Sequence, residues 1–171
     1  MGISTQGYTN LIHTITYERL SGEVAESFSN DWMKRGSELQ PLAAQSYELE
    51  TFSKILSVGI VEQDEWVACS PDGLIEEDGL IEIKCPKFSS HLEYLFSRKV
   101  PKDYYAQIQF QLMVTERIWC DFYSFHPKLP GCRIRVERDG QAIEFIKLRL
   151  TESIKLVQER INKLGEMRNG R

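Results

Sequence analysis

Three residues near the middle of the chain have the types and spacing of a metal-assisted hydrolytic site. In SPDGLIEEDGLIEIKCP (70–86), Asp72 precedes an acidic turn, and Glu82 and Lys84 stand two residues apart in an apolar run. In a strand, residues i and i+2 point to the same face. Glu82 and Lys84 therefore share a face, while Ile81 and Ile83 pack on the other. A hairpin turn at Glu76-Glu77-Asp78-Gly79, with Gly79 able to take positive φ, brings Asp72 opposite Glu82. Two carboxylates on one rim suit a hard divalent cation. Mg²⁺ keeps several of its waters, so Asp72, Glu82 and the backbone carbonyl of Ile83 suffice to hold it. Lys84 beside them can orient or deprotonate a water, or neutralise charge on a pentavalent phosphate. A strand bearing an ordinary surface Glu-Lys ion pair would show the same E-x-K. The Pro-Asp-Gly and the placement across a hairpin weigh toward a site.

Two further segments offer polar groups. Glu38, in RGSELQPLAAQSYE, is a third carboxylate on a helix, or simply a helix-surface glutamate. Small Ala43 and Ala44 let that helix pack closely. Tyr104, Gln107 and Gln111 are spaced i, i+3, i+7 and share one helical face. That face either contacts phosphate and sugar or is merely solvated.

The elements that must position these groups follow from period and punctuation. Residues 9–20 have a loose helical pattern, and 23–35 read as helical and polar. A second helix runs from about Trp32 to Phe52, with a kink or restart near Gln40 imposed by Pro41. Short β-branched runs at 55–61 and 65–70 precede a strand, turn, strand over 73–84, which Pro86 ends. Residues 88–98 form a helix, and 103–115 another with Asp103 as N-cap. A strand is expected over 117–125, and a second hairpin over 132–138 and 141–149 around Asp139-Gly140. A final helix spans 151–168, capped by Thr151, with an apolar stripe of Ile154, Leu156/Val157, Ile161 and Leu164. This order predicts an α/β (α+β) fold, a central mixed β-sheet flanked by helices. One domain over residues 1–171 is expected: a helical part to about 52, a core at about 53–150 and the C-terminal helix.

Composition excludes some classes. No apolar run of about 18 residues exists, so no membrane span is expected, and no secretory signal is visible. Cys69, Cys85, Cys120 and Cys132 form no C-x-x-C pair and read mostly as reduced strand cysteines, which suggests a cytoplasmic protein. The net charge of −4 is split unevenly. Residues 1–83 carry four Lys and Arg against fifteen Asp and Glu, whereas 84–171 carry seventeen against ten. A basic half, including Lys87, Arg98, Lys99, Lys102, Arg133 and Arg135, suggests a polyanionic partner; two solvated faces of different sign would look the same.

The stretches ACSPDGL…GLIEIKCP, YYAQIQFQLMVT followed by WCDFYSFHP, and the upstream RGSELQPLA together resemble the phage lambda exonuclease family. Its members are also called YqaJ-type viral recombinases and belong to the PD-(D/E)XK nuclease superfamily. The resemblance covers about residues 30–130 and rests on three motifs in the right order. It implies a restriction-endonuclease-like core. It also implies that Asp72 and Glu82, with the Ile83 carbonyl, ligate the metal, that Lys84 is the catalytic lysine, and that Glu38 helps hold a metal or its water. Ser70 and Gln107 would contact the DNA phosphate near the cleaved bond. The family's reaction is Mg²⁺-dependent hydrolysis of one strand of linear double-stranded DNA, 5′ to 3′, with Mn²⁺ able to substitute. Expected partners are double-stranded DNA ends, a single-strand annealing protein and two further copies in a homotrimer. The setting would be a phage or prophage protein in a bacterial cytoplasm. The family's Arg and Ser that grip the terminal 5′-phosphate are assigned to no position here.

The leading expectation is thus a DNA exonuclease. A structure-specific DNA endonuclease would use the same site. A non-catalytic DNA-binding module on the same fold has no need of an intact Asp72, Glu82 and Lys84.

Overall fold

The computed structural model describes residues 5–25 and 31–169, which fall into two compact units. The first is built from residues 5–25 and 144–169. Helix α1 (Thr5–Ser21) buries Ile12 and Thr16, whose hydroxyl donates to the Ile12 carbonyl at 2.6 Å. In the C-terminal helix of this unit Val157 is buried, and the Tyr8 hydroxyl meets Ser153 Oγ at 3.0 Å.

Residues 31–143 form the second unit, which holds every candidate catalytic group. Helix α2 (Asp31–Thr51) leads into strand β1 (Ile55–Leu56). A small antiparallel ribbon, β2 (Val61–Glu62) with β3 (Ala68–Cys69), follows. Strands β4 (Gly73–Ile75) and β5 (Gly79–Lys84) form the expected hairpin. Helices α3 (Phe88–Ser97) and α4 (Lys102–Thr115) cross to β6 (Trp119–Ser124), which pairs parallel to β5, and β7 (Cys132–Glu137) returns antiparallel. Helix α5 (Gly140–Asn169) begins here and continues into the first unit. The five-stranded sheet runs β1-β4-β5-β6-β7, mixed as expected.

The sheet's two faces are covered by different helices, which explains the alternation in β5. On one side Leu80 and Phe122 pack against Ile108 and Leu112 of α4 and Tyr94 of α3. On the other, Ile81 and Ile83 pack against Ala43 and Tyr47 of α2. Glu82 and Lys84 share the Leu80 side, toward α4, by the period of two. Two buried polar anchors hold the layers. Asp121 of β6 accepts from the Tyr47 hydroxyl at 2.7 Å and from Arg135 at 2.9 and 3.1 Å. His91 of α3 donates from Nε2 to the Pro130 carbonyl at 3.0 Å, and its Nδ1 accepts from Ser124 at 2.7 Å.

Several sequence expectations need correction. Residues 141–149 are helical, not a strand, because Asp139 caps α5: its Oδ1 accepts the backbone N–H of Gln141 at 2.9 Å and of Ala142 at 3.1 Å. Thr151 is therefore mid-helix, its hydroxyl donating to the Lys147 carbonyl at 2.9 Å. Helix α2 runs through Pro41 without a restart. Pro101, not Asp103, caps α4, leaving Asp103 in the first turn where its charge suits the helix dipole. In the β4–β5 turn Glu76, at φ 50°, takes the left-handed conformation. Gly79 is required for space instead, since a Cβ there would lie 2.1 Å from the Trp119 ring. Of the polar helix expected over 23–35, Glu23–Ala25 is irregular, 31–35 belongs to α2, and 26–30 lies outside the described residues. The four cysteines are free thiols, as expected.

Candidate active site

The end of β5 places an acid and a base on the α4 side of the sheet. Glu82 is 2% exposed, so its carboxylate must be satisfied within the protein. Three donors do this. Lys84 Nζ contacts Oε1, Gln107 Nε2 donates to Oε1 at 2.9 Å, and Gln111 Nε2 donates to Oε2 at 2.8 Å. The ammonium of Lys84 also lies 4.9 Å from the Tyr104 ring centroid, and that ring stacks on Phe122. Tyr104, Gln107 and Gln111 thus face the sheet and organise Glu82 and Lys84. Gln111 is buried and its amide is spent on Glu82, so it is not the solvent-facing DNA contact expected from its spacing. Gln107 is on the exposed rim, and Tyr104 is half-buried.

Asp72 sits just before β4. The β4–β5 register, Gly73 against Ile81, carries it opposite Glu82. Its Oδ2 accepts the Ile83 backbone N–H at 2.6 Å, and its Oδ1 accepts the Gln40 amide at 2.8 Å. Gly73 follows because a Cβ there would meet Ile55 Cγ2 at 2.3 Å. A cleft of about 380 Å³ opens beside Asp72 and Ile83, walled by α2 through Ser37, Gln40 and Ala44. Burial first, then the facing charge of Glu82, push the Asp72 carboxyl up from 3.8 to about 6. The Ile83 N–H, Lys84 and Gln40 pull the other way without offsetting this.

This donor set fits a divalent cation. Two carboxylates repel each other, which a cation between them would relieve. Beside Glu82, the buried Gln111 Oε1 has no hydrogen-bond partner. Among the described residues no three His, Cys, Asp or Glu side chains gather into a metal cluster. Glu38, expected as a third acid, is exposed on α2 and does not line the cleft. It lies two residues from Gln40, about 200° around the helix. Gln40 is the group that sequence reasoning missed. Its helical phase with Ala43 and Tyr47, both buried against the sheet, was the available signal.

The remaining expectations fall nearby. Ser70 is exposed, its hydroxyl donating to the Gly59 carbonyl at 3.3 Å. Of the basic half, Arg135 is committed to Asp121 and lies 3.5 Å over the Trp119 ring. Arg98 donates to the Arg133 carbonyl at 2.7 Å. Lys87, Lys99 and Lys102 are exposed. No helix among the described residues is long and apolar enough to cross a membrane.

Residues 3–118 match the family model of the YqaJ-like viral recombinase domain. No curated protein matches the chain in sequence. Among solved structures, the chain is similar to an alkaline exonuclease from Laribacter hongkongensis, at 31% identity and a TM-score of 0.90, over 99% of this chain and 89% of that one. The same exonuclease in complex with dAMP matches at 33% identity and 0.86, over 95% and 85%. A phage-related exonuclease from Haemophilus somnus 129PT shares the fold, at 16% identity and 0.75, over 94% and 85%.

Proposed function

The chain belongs to the YqaJ-like viral recombinase family and has the fold of an alkaline exonuclease, and from that premise we propose that it is a Mg²⁺-dependent exonuclease acting on the ends of linear double-stranded DNA. One observation carries the reading most. Asp72 stands opposite Glu82 across the β4–β5 pair, where the charges of Glu82 and Lys84 act on it; Lys84 contacts Glu82, and two glutamine amides of α4 are devoted to Glu82. A strand with a mere surface ion pair has no reason to bury its glutamate and surround it with donors.

Asp72, Glu82 and the Ile83 carbonyl would hold the cation, with Mn²⁺ able to replace Mg²⁺. When bound, the cation supplies Lewis-acid polarisation of the phosphoryl oxygen and lowers the pKa of a bound water. The protein's own groups supply orientation. Gln107 and Gln111 fix both oxygens of Glu82. The Ile83 N–H and Gln40 fix both oxygens of Asp72. Tyr104 supports the ammonium of Lys84, whose side chain is 25% exposed and whose ammonium has three donors. From there Lys84 can orient the attacking water or stabilise charge developing on the phosphate. Gln107, on the rim, is the α4 residue best placed to touch a phosphate, and the exposed Ser70 hydroxyl can do so by turning from the Gly59 carbonyl. Exposed Lys87, Lys99 and Lys102 give non-specific attraction, so DNA binding should weaken steeply with salt.

We propose cleavage from 5′ toward 3′, in phage-type recombination with a single-strand annealing partner, with a homotrimer as the working assembly. The test is incubation with Mg²⁺ of linear duplex carrying 5′ or 3′ label, beside closed circular duplex. Release of label from linear DNA, the circle being spared, is expected, with 5′ label lost first. Nicking of the circle would instead identify an endonuclease, and no cleavage of either would remove the enzymatic reading.

A further inference from the structure

We infer that Gln40 is a positioning residue for Asp72, and that its amide occupies the place from which a third carboxylate would reach the site's cation. This deepens the reading of Asp72 and Glu82 as the cation's ligands and rests on it.

The Asp72 carboxylate is held by two neutral donors from different elements. The Ile83 N–H of β5 takes Oδ2 at 2.6 Å, and the Gln40 amide of α2 takes Oδ1 at 2.8 Å. Two donors on opposite oxygens fix the plane of a carboxylate, not only its position. The helix that carries Gln40 is itself fixed. Ala43 and Tyr47, one and two turns further along, are 0% and 1% exposed, and the Tyr47 hydroxyl donates to buried Asp121 at 2.7 Å. Nearer its start, Arg35 Nη1 donates to the Cys85 carbonyl at 2.9 Å. Gln40 is therefore a preorganised clamp rather than a mobile surface amide. It also lines the cleft with Asp72 and Ile83.

Glutamate is nearly isosteric with glutamine. At position 40 a glutamate would set an oxygen against Asp72 Oδ1, repulsive without a cation and chelating with one. The native amide gives a site of two carboxylates, already oriented and spared that third charge. Glu38 cannot supply it, being on the opposite side of the helix.

The test is Mn²⁺ binding to the DNA-free protein, followed by calorimetry, for wild type, Gln40→Glu, Gln40→Met and Asp72→Asn. Circular dichroism checks each fold. Gln40→Glu should bind Mn²⁺ on the order of tenfold more tightly, by adding a charged ligand, and its metal-free form should unfold at lower urea. Gln40→Met keeps the length but loses the clamp, and should bind about tenfold more weakly. Wild-type affinity in both Gln40 variants, with Asp72→Asn unable to bind, would overturn the role of Gln40 and leave the ligand reading standing. Equal binding by wild type and Asp72→Asn, or none by wild type, would remove the ligand reading itself. Should Gln40→Glu fail to fold, unweakened Mn²⁺ binding by Gln40→Met overturns the clamp by itself.

Discussion

Replacing Asp72 by Asn should make the metal-free protein more stable at neutral pH while abolishing cleavage. Burial and the charge of Glu82 raise the Asp72 carboxyl from 3.8 to about 6. A carboxyl with a raised pKa binds its proton more tightly in the folded state. Between pH 4 and pH 6 the folded chain holds that proton and the unfolded chain does not, so stability falls as pH rises through this window. Above it the ionised Asp72 costs about 3 kcal/mol relative to an ordinary carboxylate. Asn carries no charge and escapes this cost. It can still accept the Ile83 N–H, and the Gln40 amide can turn over to accept from the new NH₂ group. The expected gain at pH 8 is therefore up to about 3 kcal/mol, or roughly 1–2 M in the urea midpoint. It should shrink through pH 6 and vanish below pH 4. Urea titrations of both proteins in EDTA at pH 8, 6 and 4 measure this. An Asn variant less stable than wild type at pH 8, or a difference independent of pH, would refute the electrostatic reasoning.

Other perturbations have different signatures. Glu82→Gln removes the carboxylate that Lys84, Gln107 and Gln111 share. Because Lys84 is partly exposed, the loss should be nearer about 2 kcal/mol than the figure for a fully buried pair, and thermal unfolding should show it together with loss of cleavage. Lys84→Ala takes one of three donors from buried Glu82 and should cost about 2 kcal/mol in urea, yet the folded protein should still bind DNA while cleaving it about 10²–10⁴ more slowly, read from single-turnover rates and gel shifts at equal folded concentration. Tyr47→Phe deprives buried Asp121 of one donor and should cost about 1–2 kcal/mol in urea, with cleavage per folded molecule unchanged.

What could be read from the sequence divides along physical lines. The β5 strand was legible because a period of two is local: Glu82 and Lys84 had to share a face, and Asp72 had to return opposite them through the hairpin. The stripe on α4 was legible in position but not in direction. Polarity at i, i+3, i+7 normally marks solvent, and nothing local reveals that a buried carboxylate waits opposite to be hydrogen-bonded. Charge points to Glu38, whereas helical phase with Ala43 and Tyr47, both buried against the sheet, points to Gln40. The segment 141–149 shows how one pattern serves two structures. Phe145, Lys147 and Arg149 alternate with Ile146, Leu148 and Leu150 as in a strand, yet Phe145 and Leu148 are exposed at 65% and 64% on a helix. Asp139-Gly140, which reads as a hairpin turn, supplies an N-cap instead. The parallel β5–β6 pairing and the Asp121–Arg135–Tyr47 anchor join residues far apart in the chain, which no local period can report.

The most direct test of the site is the time course of nucleotide release from end-labelled linear duplex, with Mg²⁺ and with EDTA, for wild type, Asp72→Asn and Lys84→Ala at equal folded concentration. Release should require Mg²⁺, be absent in the Asp72 variant and be slowed by orders of magnitude in the Lys84 variant. Release that persists in EDTA, or at the wild-type rate in either variant, would contradict the assignment of these groups to the chemistry.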